Sequence, residues 1–242
     1  MSMLLRRRDI ISLGGGGGIP RGLVAWYNCA TSFPDETVLN HGDIVPDLSG
    51  NGYDMVVEST YTPATMPLTT RTIGKCFQFG YAWGPTRYRI LKCSSIPSLS
   101  DFTLLINREY TSTGDRQNAV AWMGTSTYKA GVFWFEGNQS GSIFNVASLA
   151  GNKTNNPVWF GTQVTRKAPS GGKLYFTPTS YDGTAVSSDN YPISGNCMLR
   201  LGGLGSLRND APSMATLYIA SFLLFNRTLK QGEIDWVKEN MM

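Results

Sequence analysis

From Gly22 to Phe225 the chain is a succession of short apolar runs, each cut off by Gly, Pro, Asn or Asp. The runs occupy residues 23–27, 55–57, 75–79, 88–92, 102–106, 119–123, 132–135, 142–146, 159–165, 173–177, 198–201 and 217–225. Runs of this length, with turn residues between them, read as strands. Asn51-Gly52 and Asp182-Gly183 are hairpin-turn dipeptides, because Gly accepts the positive φ that such turns require. Many short strands at regular spacing indicate an all-β sandwich or barrel. Only residues 229–240 read as helix, with Ile234 and Val237 three apart on one face.

Two runs are apolar at every second position on both registers. Leu23, Ala25 and Tyr27 alternate with Val24 and Trp26. Leu217, Ile219, Ser221, Leu223 and Phe225 alternate with Tyr218, Ala220, Phe222 and Leu224. A strand apolar on both faces is covered on both faces.

Size and composition narrow the class further. At 242 residues the chain can bury about 70–75% of its unfolded surface, so a core needs no metal or disulfide. Charged residues are 16% and hydrophobic residues 41%, which argues against a disordered acidic chain. No run of about 18 apolar residues is present, so no transmembrane helix is expected. The net charge is +4, and Arg6, Arg7, Arg8 and Asp9 hold +2 of it. The remainder is too weakly basic for a nucleic-acid surface.

Residues 1–21 form a separate unit. A basic–aliphatic peptide with Leu4, Leu5, Arg6, Arg7, Arg8, Ile10, Ile11 and Leu13 precedes the five glycines Gly14–Gly18. Five glycines make a flexible linker. The peptide reads either as a tail or as an anchor that orders against a partner. Five large aliphatics favour the anchor. An export signal needs about 7–15 consecutive apolar residues. None is present here, so the chain is expected not to be secreted by that route.

Catalytic motifs are scarce. The cysteines Cys29, Cys76, Cys93 and Cys197 form no C-x-x-C pair. Their even count leaves two disulfides open, and their spacing reads as four buried thiols. His41 is the single histidine and reads as a loop residue, with no nucleophile elbow to serve. The glycine run lacks the Gly-Lys-Ser/Thr of a phosphate loop.

Four segments in order carry a family resemblance: GLVAWY (22–27), PDLSGNGYDM (46–55), GKCFQFG (74–80) with SLSDFTLLI (98–106), and LLFNRTLKQGEI (223–234). Together they resemble the laminin G-like group of the concanavalin A-like lectin/glucanase superfamily. The resemblance spans nearly all of residues 22–242. It implies an all-β fold: a jelly-roll sandwich of two antiparallel sheets, roughly six or seven strands each, with paired first and last strands and a short C-terminal helix.

The resemblance also implies sites. Relatives bind calcium near the SGNG turn, where Asp47, Ser49, Asn51 and Asp54 offer oxygens. Ala220 and Ser221 stand where relatives carry a further acidic pair. The other reading is a turn in which Asp47 and Asn51 bond their own backbone. Apart from calcium, no cofactor is implied. The glycosidase pattern E-x-D-x-x-E is absent: Glu136 stands alone, and Glu233 and Asp235 fall in the C-terminal helix, so no enzyme is expected. A sugar platform would use Trp83, Tyr81, Tyr128 or Tyr181, with Trp134 a further candidate.

Residues 1–13 resemble anchor segments of virion proteins from tailed phages of Bacteroides-type hosts. The function expected from both resemblances is a non-enzymatic, fibre-like recognition protein of a phage virion. It would be assembled in the host cytoplasm, held to other virion proteins by residues 1–13, and would display a sandwich that binds surface glycans. Homo-oligomers are open, with no membrane or nucleic-acid partner. The alternative is a bacterial carbohydrate-binding module or glycanase accessory protein.

Overall fold

The computed structural model describes residues 18–81, 88–97, 99, 101–111, 117–124, 131–137, 143–148, 160–165, 171–177, 180–181, 184–185, 197–202 and 216–242. In chain order the elements begin with β1 (Leu23–Asn28), α1 (Cys29–Ser32), β2 (Val38–Asn40), β3 (Ile44–Val45), β4 (Met55–Ser59), β5 (Thr65–Arg71) and β6 (Gly74–Gln78). Next come β7 (Gly80–Tyr81), β8 (Tyr88–Ile96), β9 (Thr103–Thr111), β10 (Gln117–Gly124), β11 (Gly131–Gly137), β12 (Ile143–Ser148) and β13 (Phe160–Thr165). The chain ends with β14 (Gly171–Thr177), β15 (Ser180–Tyr181), β16 (Thr184–Ala185), β17 (Cys197–Leu201), β18 (Thr216–Phe225) and α2 (Gln231–Asn240).

Two antiparallel sheets face each other. The first runs β16-β15-β14-β9-β18-β6-β5-β2, with β1 also on β18. The second runs β13-β12-β11-β10-β17-β8-β4-β3, with β7 also on β8. Among the described residues each sheet has nine strands, more than the six or seven expected. The excess comes from pieces of two or three residues, namely β2, β3, β7, β15 and β16. Such pieces are too short to show a periodicity in sequence.

β18 is the spine of the first sheet. It pairs along its whole length with β9 on one side. On the other side it pairs with β6 at Tyr218 and Ile219, then with β1 from Ser221 to Phe225. First and last strands therefore meet, as expected. Every residue from Leu217 to Phe225 is buried.

The two registers differ from simple alternation. A bulge between Ile219 and Ser221 shifts the pleat by one residue. Leu217, Ile219, Phe222 and Leu224 consequently share the inter-sheet core, while Leu223 and Phe225 turn outward. β1 has a matching irregularity between Leu23 and Ala25. Val24, Ala25 and Tyr27 face the core, and Trp26 and Leu23 face outward.

What covers that outward face is α2. Ile234, Val237 and Met241 pack with Trp26, Leu105, Tyr175, Leu223 and Phe225. Burying an Ile or Val side chain stabilises by about 2 kcal/mol, enough to hold a ten-residue helix that is too short to persist alone. The closing phrase NRTL-x-x-x-E sets the corner that delivers it. Arg227 donates to the carbonyl of Arg21 and to the Glu233 carboxylate. Thr228 bonds Asp101 through its N–H and its hydroxyl. Glu233 also accepts the N–H of Lys230 at the helix start, satisfying one of the donors a helix start leaves open. Arg227 in turn holds the Glu233 carboxyl down at about 2.

The ordered body extends upstream of Gly22. Pro20 is buried, and Ile19 packs against the α2 cluster. Among the described residues, no helix is long and apolar enough to cross a membrane.

Candidate functional site

The SGNG turn is a hydrogen-bond hub. Asp47 is only 1% exposed. Its Oδ1 accepts the N–H groups of Trp26 (3.0 Å) and Ser49 (2.9 Å). Its Oδ2 accepts the Ser49 hydroxyl (2.7 Å) and the N–H of Tyr53 (3.1 Å). Asp54 Oδ1 accepts the N–H of Asp47 at 2.8 Å. Asn51 Nδ2 donates to the carbonyls of Leu23 and Val24, both at 2.9 Å. A cation such as calcium wants six to eight converging oxygens. Here hydrogens converge on Asp47 instead, so this residue set does not fit the ion. Of the turn expected from sequence, in which Asp47 and Asn51 bond their own backbone, the Ser49 N–H to Asp47 contact is local, while Asn51 reaches instead to the carbonyls of β1. Among the described residues, no group of three His, Cys, Asp or Glu is placed to hold a metal.

His41 lies in the turn after β2, where its Nδ1 accepts the N–H of Ser59 at 3.1 Å. The four cysteines are buried free thiols. Burial pushes Cys29 and Cys76 each up to about 12, so the thiolate needed for nucleophilic chemistry is suppressed.

The outer face of the second sheet is different in kind, because residues meet there that no turn or core requires. Met55 and Val57 of β4 enter the core, so Val56 and Glu58 face outward. Leu91 and Cys93 of β8 enter the core, so Tyr88, Ile90 and Lys92 lie on the other side of the strand, where Tyr88 and Ile90 are buried and Lys92 is partly exposed. Glu58 pairs with Ile90 and sits between Tyr88 and Lys92. Its Oε1 accepts the Tyr88 hydroxyl at 2.7 Å. Its Oε2 lies 3.8 Å from Lys92 Nζ and has no hydrogen-bond partner. The Glu58 and Lys92 side chains are 19% and 32% exposed, but Oε2 itself is buried.

The cluster sits on a longer cross-strand row. Ile44, Val56, Lys92, Arg200, Trp122 and Phe133 are successive register partners across β3, β4, β8, β17, β10 and β11. Ile44 and Val56 are exposed, and Arg200 is 2% exposed. On the core side of the same edge, the Arg89 guanidinium stacks 3.9 Å from the Tyr61 ring centroid. Burial holds its pKa below the usual arginine range.

The aromatic candidates fall in three groups. Tyr81 occupies β7 and pairs with Tyr88, one step from Glu58. Tyr181 occupies β15 at the far edge of the first sheet and pairs with Phe176 and Thr184, so it belongs to a different surface. Trp83 and Tyr128 lie outside the described residues, as do Leu4, Leu5, Arg6, Arg7, Arg8, Ile10 and Ile11. Trp134 and Glu136 lie in β11. Sequence reasoning set Tyr88 beside Tyr81 and Trp83 in a Gly/Pro-rich loop with partial exposure, whereas it opens β8 and is buried; Glu58 and Lys92 were passed over. Their signal was the alternation of MVVES and YRILK, which marks one face as polar without saying which sheet bears it.

No protein-family model matches the sequence. No curated protein matches it either. Solved structures do match in shape. The sialidase of Trypanosoma rangeli aligns with a TM-score of 0.54 at 13% identity, over 96% of this chain and 36% of its own. The chain therefore spans about a third of that enzyme. The same sialidase in complex with 2,3-difluoro-KDN aligns with a TM-score of 0.51 at 13% identity, over 95% of this chain and 36% of its own. Domain 4 of AbnA, a GH43 extracellular arabinanase from Geobacillus stearothermophilus in complex with arabinotriose, aligns with a TM-score of 0.50 at 11% identity. That match covers 90% of this chain and 98% of the domain. At these identities the likeness is one of fold: a two-sheet antiparallel sandwich consistent with the concanavalin A-like class.

Proposed function

We propose that this chain is a non-enzymatic carbohydrate-recognition protein whose ligand face is the outer surface of the second sheet around Glu58, Tyr88 and Lys92. One observation carries the reading. α2 seals part of the first sheet's outer face, while the outer face of the second sheet carries the Glu58–Lys92 ion pair, with Lys92 about a third exposed, beside exposed Val56. Sugars are held by such sets: acids and amines take the hydroxyls, and apolar surface takes the C–H face. Glu58 Oε2 is buried and lacks a hydrogen bond, so it is an acceptor that a hydroxyl reaches once Lys92 moves aside. Lys92 is the matching donor. Tyr88 fixes the Glu58 rotamer through its own hydroxyl. The fold shared with the arabinotriose-bound arabinanase domain supports the reading. The non-enzymatic part rests on Glu58 being the one carboxylate in this cluster among the described residues, since glycoside hydrolysis uses two flanking the bond.

The finer reading is a phage virion protein, with residues 1–13 attaching the sandwich to a particle and several copies converting weak sugar binding into avidity. It rests on the basic–aliphatic sequence and its glycine linker. The end-to-end match to the arabinanase domain favours a second reading, a module that brings a glycan-processing enzyme to its polymer.

A glycan array tests the core of this proposal. The full chain should bind a subset of glycans, and Lys92→Ala and Glu58→Gln should each weaken that binding about tenfold or more. No binding on the array, or binding untouched by either substitution, would remove the face from consideration.

A further inference from the structure

Two strands share one edge of β18. β6 pairs with it at Tyr218 and Ile219, and β1 takes the same edge from Ser221 onward. Among the described residues, Gly74, Lys75 and Cys76 therefore pair with β5 and not with β18. The turn that joins β5 to β6 at Thr72 and Ile73 is thus free to leave the sheet. Gly74, at its end, takes φ +104 with nothing within 4 Å of where a Cβ would stand, a conformation that glycine enters without cost.

Side chains from β9, on the far side of β18, hold this turn down. Glu109 Oε1 accepts the Nε of Arg71 at 2.9 Å and its Nη2 as well. Glu109 Oε2 accepts the Thr72 hydroxyl at 2.6 Å. Asn107 Nδ2 donates to the Ile73 carbonyl at 3.3 Å. The Arg71 guanidinium lies 4.6 Å from the Tyr218 ring centroid. Beneath the turn, Cys76, Tyr218 and Ala220 form a cluster of their own with Ile73 packed against it. The Cys76 thiol donates to the Gly74 carbonyl at 3.2 Å. Cys29, Cys93 and Cys197 belong instead to the inter-sheet core.

We infer that the β5–β6 turn is a strap that Glu109 fastens over the Cys76 thiol, and that its release makes Cys76 the reactive cysteine of the chain. The cover is thin. Ile73 is the apolar residue that the turn contributes to the cluster, so closure rests on polar contacts to one carboxylate and one amide. Losing these contacts opens the turn without separating the two sheets, and such local opening is cheaper than global unfolding. The three core cysteines have no such route to solvent. While the strap is closed, burial and the nearby Glu109 charge push the Cys76 thiol up to about 12. Once it opens, both causes are relieved and the thiolate becomes available as a nucleophile. Ions that compete with Glu109 for Arg71 favour release. The strap lies on the first sheet, so the inference stands independently of glycan binding at Glu58 and Lys92.

Iodoacetamide labelling of the full chain at pH 8, located residue by residue with mass spectrometry, tests it. Glu109→Gln should label Cys76 about tenfold or more faster than wild type, with Cys29, Cys93 and Cys197 unchanged. Thr72→Val alters an exposed residue and removes one donor to Glu109. It should accelerate Cys76 about threefold, and about 0.5 M salt should accelerate wild type in the same direction. Circular dichroism of each variant checks that the sandwich is folded, and Thr72→Val decides the matter if Glu109→Gln unfolds. Labelling of Cys76 at the wild-type rate in the folded variants would overturn the inference. So would acceleration of all four cysteines together in Thr72→Val, which would mean that the chain opens as a whole and that no strap exists.

Discussion

The buried carboxylate of Asp47 accepts the backbone N–H of Trp26 at 3.0 Å across 21 residues of sequence. This contact fastens the SGNG turn to the strand that pairs with the last strand of the chain. Its two oxygens take four hydrogens in all. Removing them strands the N–H groups of Trp26 and Tyr53 away from water. Asp47→Ala should therefore cost about 3 kcal/mol in a urea titration. A loss below about 1 kcal/mol would mean that the turn is held some other way.

Gly202 follows β17 with φ +81, and a Cβ built on it would lie 1.9 Å from the Phe79 ring. Both the backbone conformation and the space exclude a larger residue. Gly202→Ala should destabilise by about 3 kcal/mol through overpacking and left-handed strain. Phe79→Leu in the same background should recover part of it by clearing the ring. Thermal unfolding of the two variants reads this directly, and a silent Gly202→Ala would refute the contact.

The buried thiols make a pH statement. Burial raises the pKa of Cys29 and Cys76 from 9.0 to about 12, and it raises Cys93 and Cys197 as well. A raised folded pKa means stability that is complete below the unfolded value and lost as pH climbs through the folded one. Stability should fall between about pH 9 and 12, and Cys29→Ala with Cys76→Ala should flatten that fall. In native protein at pH 8 a thiol reagent should label none of the four. Rapid labelling would show that they are accessible.

At the other end of the scale stands Glu233, lowered from 4.5 to about 2, with the Arg227 hydrogen bond as the leading cause. Its contribution is present above the unfolded value and lost as pH falls toward 2. The pair is about a third exposed, so solvent screens it and Glu233→Gln should cost only about 0.5 kcal/mol. The cost should be full above about pH 4.5, shrink as pH falls toward 2, and be measurable as fraying of α2 by circular dichroism. An equal cost at pH 2 would indicate that packing, not charge, is lost.

Much of the architecture was legible in residues 23–27 and 217–225. Both runs are apolar on both registers because a core lies on one side of them and α2 on the other. The bulges were not legible. They exchange the faces of Ser221 and Phe222 without any change in composition. β5 was hidden because Pro67 lacks the N–H expected of a strand, although it pairs with Val38 near the sheet edge. The polar face at Glu58 was hidden for another reason. Alternation marks one outward side of β4, and only the placement of α2 on the opposite sheet shows which outer face that helix leaves uncovered.

The ligand face is tested most directly by a nitrogen-15 NMR titration of the full chain with the glycan that an array identifies. The account requires the amide shifts to concentrate at Val56–Glu58 and Ile90–Lys92, with α2 silent, and to vanish in Lys92→Ala. Shifts confined to α2 or to the β2–β3 edge, or none at saturating sugar, would contradict it.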